Sequence, residues 1–213
     1  MSSQLPAPAA KVLDALLEGN ERYALDRPRH PHQGRATRAD LTEGQHPVAA
    51  ILACSDARVP PTLVFDQGLG DLFVVRNAGQ VLTPGALASL EFAVLELDVP
   101  LIVILAHEAC GAIKAATETF GTDRVPHAHL AQVLAPLAPA VAVAARRARD
   151  PNAIAEVACA AGEVHLAMTL EALRRTEPVV APRIAAGRLG VVGLTYELSS
   201  GRTRLLEDVA AAR

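Results

Sequence analysis

The sequence predicts an α/β fold: a central, mostly parallel β-sheet of four parallel strands plus an edge strand, flanked by helices and preceded by an N-terminal helical arm. Three observations carry this. The apolar runs VAAILACS and LIVILAH are continuous rather than alternating, as in strands buried on both faces. Segments of helical spacing fall between the strand-like segments, and that alternation is the signature of helices packed on a parallel sheet. Hydrophobic residues make up 51% of the 213 residues but aromatics only 3%, with no Trp, which leaves an aliphatic core suited to strands covered by helices. The length fits one compact domain, with residues 1–46 as a helical arm and 47–213 as the α/β unit.

From Ala9 to about Ala24, Val12, Leu13, Leu16 and Leu17 recur at helical spacing beside Lys11, Asp14, Glu18 and Glu21, so this segment is an amphipathic helix. The polar stretch that follows has prolines at 28, 31 and 47 and room for one short helix around Ala36 to Glu43. Then come the strand VAAILACS, a short Pro-led helix in PPTLVFDQ and the strand DLFVVRN. Thr83-Pro84 opens a helix running to about Leu97, with Thr as cap and Pro in the first turn. LIVILAH is bounded by Pro100 and by Cys110-Gly111. Beyond Phe120 the chain reads as helical. Asp150-Pro151 is a cap signal, and Ile154, Val157, Ala161, Val164 and Met168 follow at intervals of three and four. LGVVGLTYEL closes the sheet, and the Ser-Gly turn in SSGRTRLLEDV allows a hairpin at its edge.

A net charge of −3 with interspersed signs leaves no basic face for nucleic acid or an anionic membrane, so the expected partner is small. Cys54, Cys110 and Cys159 lie far apart and cannot all pair, which fits a reducing compartment. The N-terminus lacks a basic region followed by an unbroken apolar run, and no later stretch reads as long enough to cross a bilayer. The expectation is a cytoplasmic protein.

Cys54 ends one buried strand, and His107 and Cys110 follow the end of another. In an open parallel sheet those ends adjoin the ligand crevice, so the three can converge. Two thiolates and an imidazole suit Zn²⁺, with Zn–S about 2.3 Å and Zn–N about 2.0–2.1 Å, and three protein ligands leave a tetrahedral position for water. Such an open position implies catalysis, because the cation brings the water pKa towards about 7. Taken by spacing alone, the same residues also fit a plainer account: buried thiols acting as small hydrophobes and a hydrogen-bonded bystander imidazole.

The surrounding text is Cys54-Ser55-Asp56-Ala57-Arg58-Val59, then Arg76-Asn77-Ala78-Gly79, then His107-Glu108-Ala109-Cys110-Gly111. In order and interval these elements resemble the signature of the beta-class carbonic anhydrases, in their plant-type branch, over most of the chain. The resemblance implies Cys54, His107 and Cys110 as ligands of one Zn²⁺ per subunit, and zinc-hydroxide attack on CO₂ to give bicarbonate and a proton. It makes Asp56 and Arg58 the catalytic pair that manages the fourth position. Asp56 orients the nucleophile and Arg58 holds that carboxylate ionised. Gln45, nine residues before Cys54, is implied as a substrate-holding amide, and Phe73 as an aromatic wall. Ala78, Val59 and Leu82 are candidates for an apolar pocket, and the Gly111 N–H, at a helix start, for a bicarbonate donor.

Departures from the family pattern are Gln80, where Asn is frequent, and Phe92, where many relatives have Tyr. The absence of Trp implies that the inhibitory bicarbonate pocket of another branch is missing. His127 and His129 are candidate proton shuttles that read better as solvated. No role attaches to His30, His32 or His46, and His165 and Cys159 are expected at core or interface positions. The resemblance further implies a homodimer or homotetramer, with the arm of residues 1–46 serving dimerisation. Two alternatives share the site: hydrolysis of carbonyl sulfide or carbon disulfide, and a non-catalytic zinc or bicarbonate sensor in which Asp56 is a fourth ligand.

Overall fold

A computed structural model describes residues 5–122 and 127–206. Among these, β1 (Ala49–Cys54), β2 (Leu72–Asn77), β3 (Leu101–His107), β4 (Gly190–Tyr196) and β5 (Thr203–Leu205) form one sheet in the order β2-β1-β3-β4-β5. The first four strands are parallel and β5 returns antiparallel from β4 through the turn after Glu197, as the Ser-Gly signal predicts. Every residue of β1 and β3 is buried, which is why neither strand alternates in sequence. Because β2 lies on one side of β1 and β3 on the other, the chain reverses its direction of winding between β1 and β3, and the crevice opens there.

Helices cover both faces. On one, α1 (Ala7–Ala24) and the short α3 (Pro61–Val64) bury Ala9, Leu13, Leu16, Val64 and Phe65 against Ile51, Val103 and Leu194. The helical arm thus packs on the sheet of its own chain. Asn20 fastens it, donating to the carbonyls of Val64 (3.0 Å) and Gly201 (2.9 Å) while its oxygen accepts from the Thr203 amide at 2.7 Å. The arm beyond it holds only α2 (Arg35–Asp40) and is clamped by buried Asp66. That carboxylate accepts from Arg22 Nε at 2.7 Å and from the amides of Arg29 and His30 at 3.0 Å.

On the other face, α4 (Pro84–Leu95), α8 (Ile154–Arg174) and α9 (Val180–Ala185) bury Leu90, Val94, Leu166, Leu170 and Leu173 against Leu52, Ile102 and Ile104. The Thr83 hydroxyl caps α4 through the Ala86 amide, as the sequence predicts. Two expectations for α8 change. Asp150 accepts from the Asn152 amide in a turn of its own and the helix starts only at Ile154. The buried face carries Val157, Ala161, His165, Leu166, Leu170 and Leu173, whereas Met168 is exposed.

Between β3 and α8 run α5 (Gly111–Thr119), α6 (Ala128–Leu134), a 3₁₀ turn at Ala135–Leu137 and α7 (Ala138–Arg147). The stretch His129–Arg147 does reach spanning length, with a mean hydropathy of 1.2, which corrects the expectation that no segment would. Pro136 and Pro139 tighten it into the 3₁₀ turn, and Leu134, Leu137, Val141 and Ala144 are buried with Ile113, Val157 and Ala161. Part of the loop before His127 and the end of the tail lie outside the described residues.

Candidate metal centre

Cys54 is the last residue of β1, His107 the last of β3, and Cys110 the residue that precedes the first turn of α5. Parallel pairing of β1 with β3 sets the first two side by side, and the tight return at Ala109 (φ +50°) brings Cys110 back beneath them. The three donor atoms lie within 4.8 Å of one another, all from buried residues, with the two sulfurs 3.9 Å apart. His107 Nδ1 is 2.8 Å from the Glu108 carbonyl, so this nitrogen carries the proton. The Nε2 lone pair then faces the two sulfurs, buried and without a hydrogen-bond partner. A buried acceptor aimed at two thiols and otherwise orphaned is the arrangement a metal completes.

The electrostatics agree. The Cys54 thiol is lowered to about 4, first by its hydrogen bond with Cys110 and further by His107 and the Gly79 amide, against the opposing effect of burial. The same hydrogen bond, together with burial, pushes Cys110 up, while the amides of Ile113 and Ala112 at the start of α5 favour its thiolate. Burial opposes charge on His107, but the neighbouring Cys54 thiolate outweighs it and the imidazole is shifted up. The Cys54 thiolate is thus the charged member of the cluster, and it favours positive charge beside it.

Asp56 stands at the rim and faces Arg58. Arg58 donates through Nε to Oδ1 (2.9 Å) and through Nη2 to Oδ2 (2.7 Å), and its backbone amide also reaches Oδ1 at 2.9 Å. This fork holds the carboxyl well below the ordinary carboxylate range. Asp56 Oδ2 lies 3.8 Å from His107 Nε2, too far for a hydrogen bond yet beside the cluster. Arg58 Nη2 also donates to the Ala109 carbonyl at 3.3 Å, tying together the loops that follow Cys54 and His107.

Residues without an assigned role in the sequence reading shape the centre. Arg76 donates to the carbonyls of Cys54 (2.9 Å) and Asp56 (2.7 Å), so it braces the loop that carries both. Asn77 closes the next turn by pairing with the Val81 amide (2.7 Å) and carbonyl (2.8 Å). Gly79, at φ +77°, donates to Cys54 Sγ at 3.4 Å. Both Arg76 and Asn77 stand in the stretch that carries the family likeness, which was the available signal. Gly111 is exposed at the start of α5, next to Cys110.

Other candidates are not gathered here. Phe73 pairs with Ala50, four residues before Cys54, which sets it roughly 13 Å down the strand. It stacks on the exposed Phe92 at a centroid distance of 6.0 Å. Gln45 is exposed ahead of β1, at the same far end of the sheet. Within one chain neither approaches the cluster. Val59 and Leu82 belong to the two core faces and Ala78 is exposed. Gln80 is wholly buried, with both side-chain polar atoms unpartnered. His165 is buried under the site, as expected, but Cys159 is exposed and lines a cavity of about 380 Å³ beyond the His107–Cys110 loop. His127 and His129 are exposed, in keeping with a solvated reading.

The carbonic anhydrase family's sequence profile matches residues 49–203. Carbonic anhydrase 2 of Mycobacterium tuberculosis is 40% identical over 195 residues, covering 92% of this chain and 91% of that protein. The carbonic anhydrase of Mycolicibacterium smegmatis is 38% identical over 191 residues, 90% of each chain. Among solved structures, a tetrameric beta-carbonic anhydrase of Sordaria macrospora superposes with a TM-score of 0.70 at 27% identity, covering 92% of this chain and 97% of that one. With sequence, fold and the Cys-His-Cys cluster in agreement, the chain belongs to the carbonic anhydrase family, in its beta class.

Proposed function

We propose that this protein hydrates carbon dioxide reversibly to bicarbonate and a proton at a zinc ion held by Cys54, His107 and Cys110. The observation that carries the reading is the partnerless His107 Nε2 beside two sulfurs 3.9 Å apart. Two sulfurs bound at about 2.3 Å to a tetrahedral cation stand about 3.8 Å from each other, so the spacing fits zinc. Zinc, when bound, supplies the Lewis acidity that makes water nucleophilic near neutral pH.

The chain's own residues do the rest. Asp56 accepts the hydrogen bond of the attacking water and turns its lone pair towards the carbon of CO₂. Arg58 keeps Asp56 ionised and turned aside, which leaves the fourth position free for water; this supports the enzyme over the sensor reading. The proton released passes to solvent, and the exposed Gly111 amide offers a donor to a bicarbonate oxygen.

A homo-oligomer, dimer or tetramer, fits the open edge of β2, where Val74 is exposed, and the exposed Phe92 and Leu95 on α4. Gln45 and Phe73 then serve a neighbouring subunit's site. Stopped-flow hydration of CO₂, run beside sulfide release from carbonyl sulfide, tests the chemistry. Fast hydration with negligible sulfide release is expected; the reverse would make the protein a carbonyl sulfide hydrolase.

A further inference from the structure

One buried titratable residue takes no part in the mechanism above. His165, on α8, is 5% exposed, and its Nε2 lies 2.9 Å from the Gly79 carbonyl. A carbonyl only accepts, so Nε2 carries the proton. Burial depresses the imidazole's pKa, which keeps the ring neutral and the tautomer single. The amide of the same Gly79 donates to Cys54 Sγ at 3.4 Å. The residue itself has little room to shift: a Cβ there would stand 3.2 Å from Leu137 Cδ1 and 3.3 Å from Ala112 Cβ.

We infer that His165 is a positioning residue of the metal centre, holding the Gly79 carbonyl so that the Gly79 amide points at the Cys54 sulfur. Imidazole, glycine residue and thiolate form a relay from the core helix to the metal ligand. An N–H donor withdraws charge from a thiolate, and a less charged thiolate leaves its cation a stronger Lewis acid. The relay therefore offsets part of the charge that two thiolate ligands place on the metal. Ser, Thr or an apolar residue at 165 would leave the Gly79 carbonyl buried and unpaired, or paired less well.

This inference rests on the metal reading of Cys54, His107 and Cys110, and the test separates the two. The intact protein is loaded with ¹¹³Cd in place of zinc. Scalar coupling between the Gly79 amide proton and ¹¹³Cd is read by NMR in wild type, His165→Gln and His165→Leu. The expected result is coupling in wild type, retention in His165→Gln, whose amide can donate, and loss in His165→Leu. The Leu variant should also release the metal to chelator 10- to 100-fold faster, the range for lost outer contacts, and its activity midpoint should move to higher pH.

Failure to bind one cadmium per chain would sink the metal reading itself. Cadmium bound without coupling in wild type, or with coupling undiminished in His165→Leu, would overturn the relay alone. If the Leu variant does not fold, ¹⁵N shifts of wild-type His165 decide: the neutral Nε2–H tautomer supports the relay, and the Nδ1–H tautomer or an imidazolium overturns it.

Discussion

Arg58 and Asp56 meet in a two-pronged pair at the rim of the Cys54, His107 and Cys110 cluster, and the proposed reaction is governed there. With Arg58 replaced by Ala, Asp56 loses the partner that turns it aside and is free to swing towards the cation. CO₂ hydration by Arg58→Ala should fall about 100-fold or more while one zinc per chain is retained, a loss of roughly 2.7 kcal/mol in transition-state stabilisation. Stopped-flow kinetics together with metal analysis checks this; a variant with normal activity would show that the pair is only a surface contact. Cys159→Ser, by contrast, should hydrate CO₂ like wild type, since Cys159 lies on α8, outside the ligand cluster. At this scale the sequence was informative wherever a motif gathers its residues locally. Asp56 and Arg58 sit two residues apart on one loop, so their pairing could be anticipated. The partner of His165, unlike its burial, could not be anticipated, because the contact spans 86 residues and depends on how α8 rotates over β4, where Leu166 packs against Gly193.

Among the elements, the return between β2 and α4 has the least tolerance. Gly79 has a left-handed backbone, and a Cβ there would crowd Leu137 and Ala112, so Gly79→Ala should cost roughly 1–2 kcal/mol from the backbone alone. Denaturant unfolding measures this, and a change below about 0.5 kcal/mol would count against the packing described. The arm gives a pH test. Asp66 is buried, which by itself favours the protonated form, but the amides of Arg29 and His30 and the Arg22 guanidinium outweigh this and lower its pKa. A depressed folded pKa contributes stability that is complete above the unfolded carboxyl value, near 3.9, and is lost as pH falls through the folded value. The Tm gap between wild type and Asp66→Asn should therefore be widest at neutral pH and narrow below pH 4. A gap independent of pH would contradict an ionised clamp. Strands were the most legible elements, because Leu101–His107 and Ala49–Cys54 are apolar on both faces and lie between clear breakers. The segment from Ala128 to Arg147 was less so: its alanines fit any helix, and only packing on α5 and α8 decides where Pro136 and Pro139 interrupt it.

For the molecule as a whole, the sheet order explains why the chemistry sits where it does. Winding reverses between β1 and β3, and the ends of those two strands supply two of the three residues of the metal-capable cluster, with the third shortly after His107. The position of Gln45 and Phe73 at the other end of the sheet was not legible, since sequence interval does not tell which end of a strand a residue occupies relative to a site built from several strands. In the proposed function they serve a neighbouring subunit's site, so light scattering should find at least a dimer, and a stable active monomer would refute that proposal. Metal removal should lower thermal stability, because a ligand held only by the folded state stabilises it by mass action. The most direct test of the central claim is a zinc titration of the metal-free protein followed by stopped-flow CO₂ hydration. Activity rising from near zero and levelling at one zinc per chain is predicted; hydration without zinc, or none at full occupancy, would contradict it.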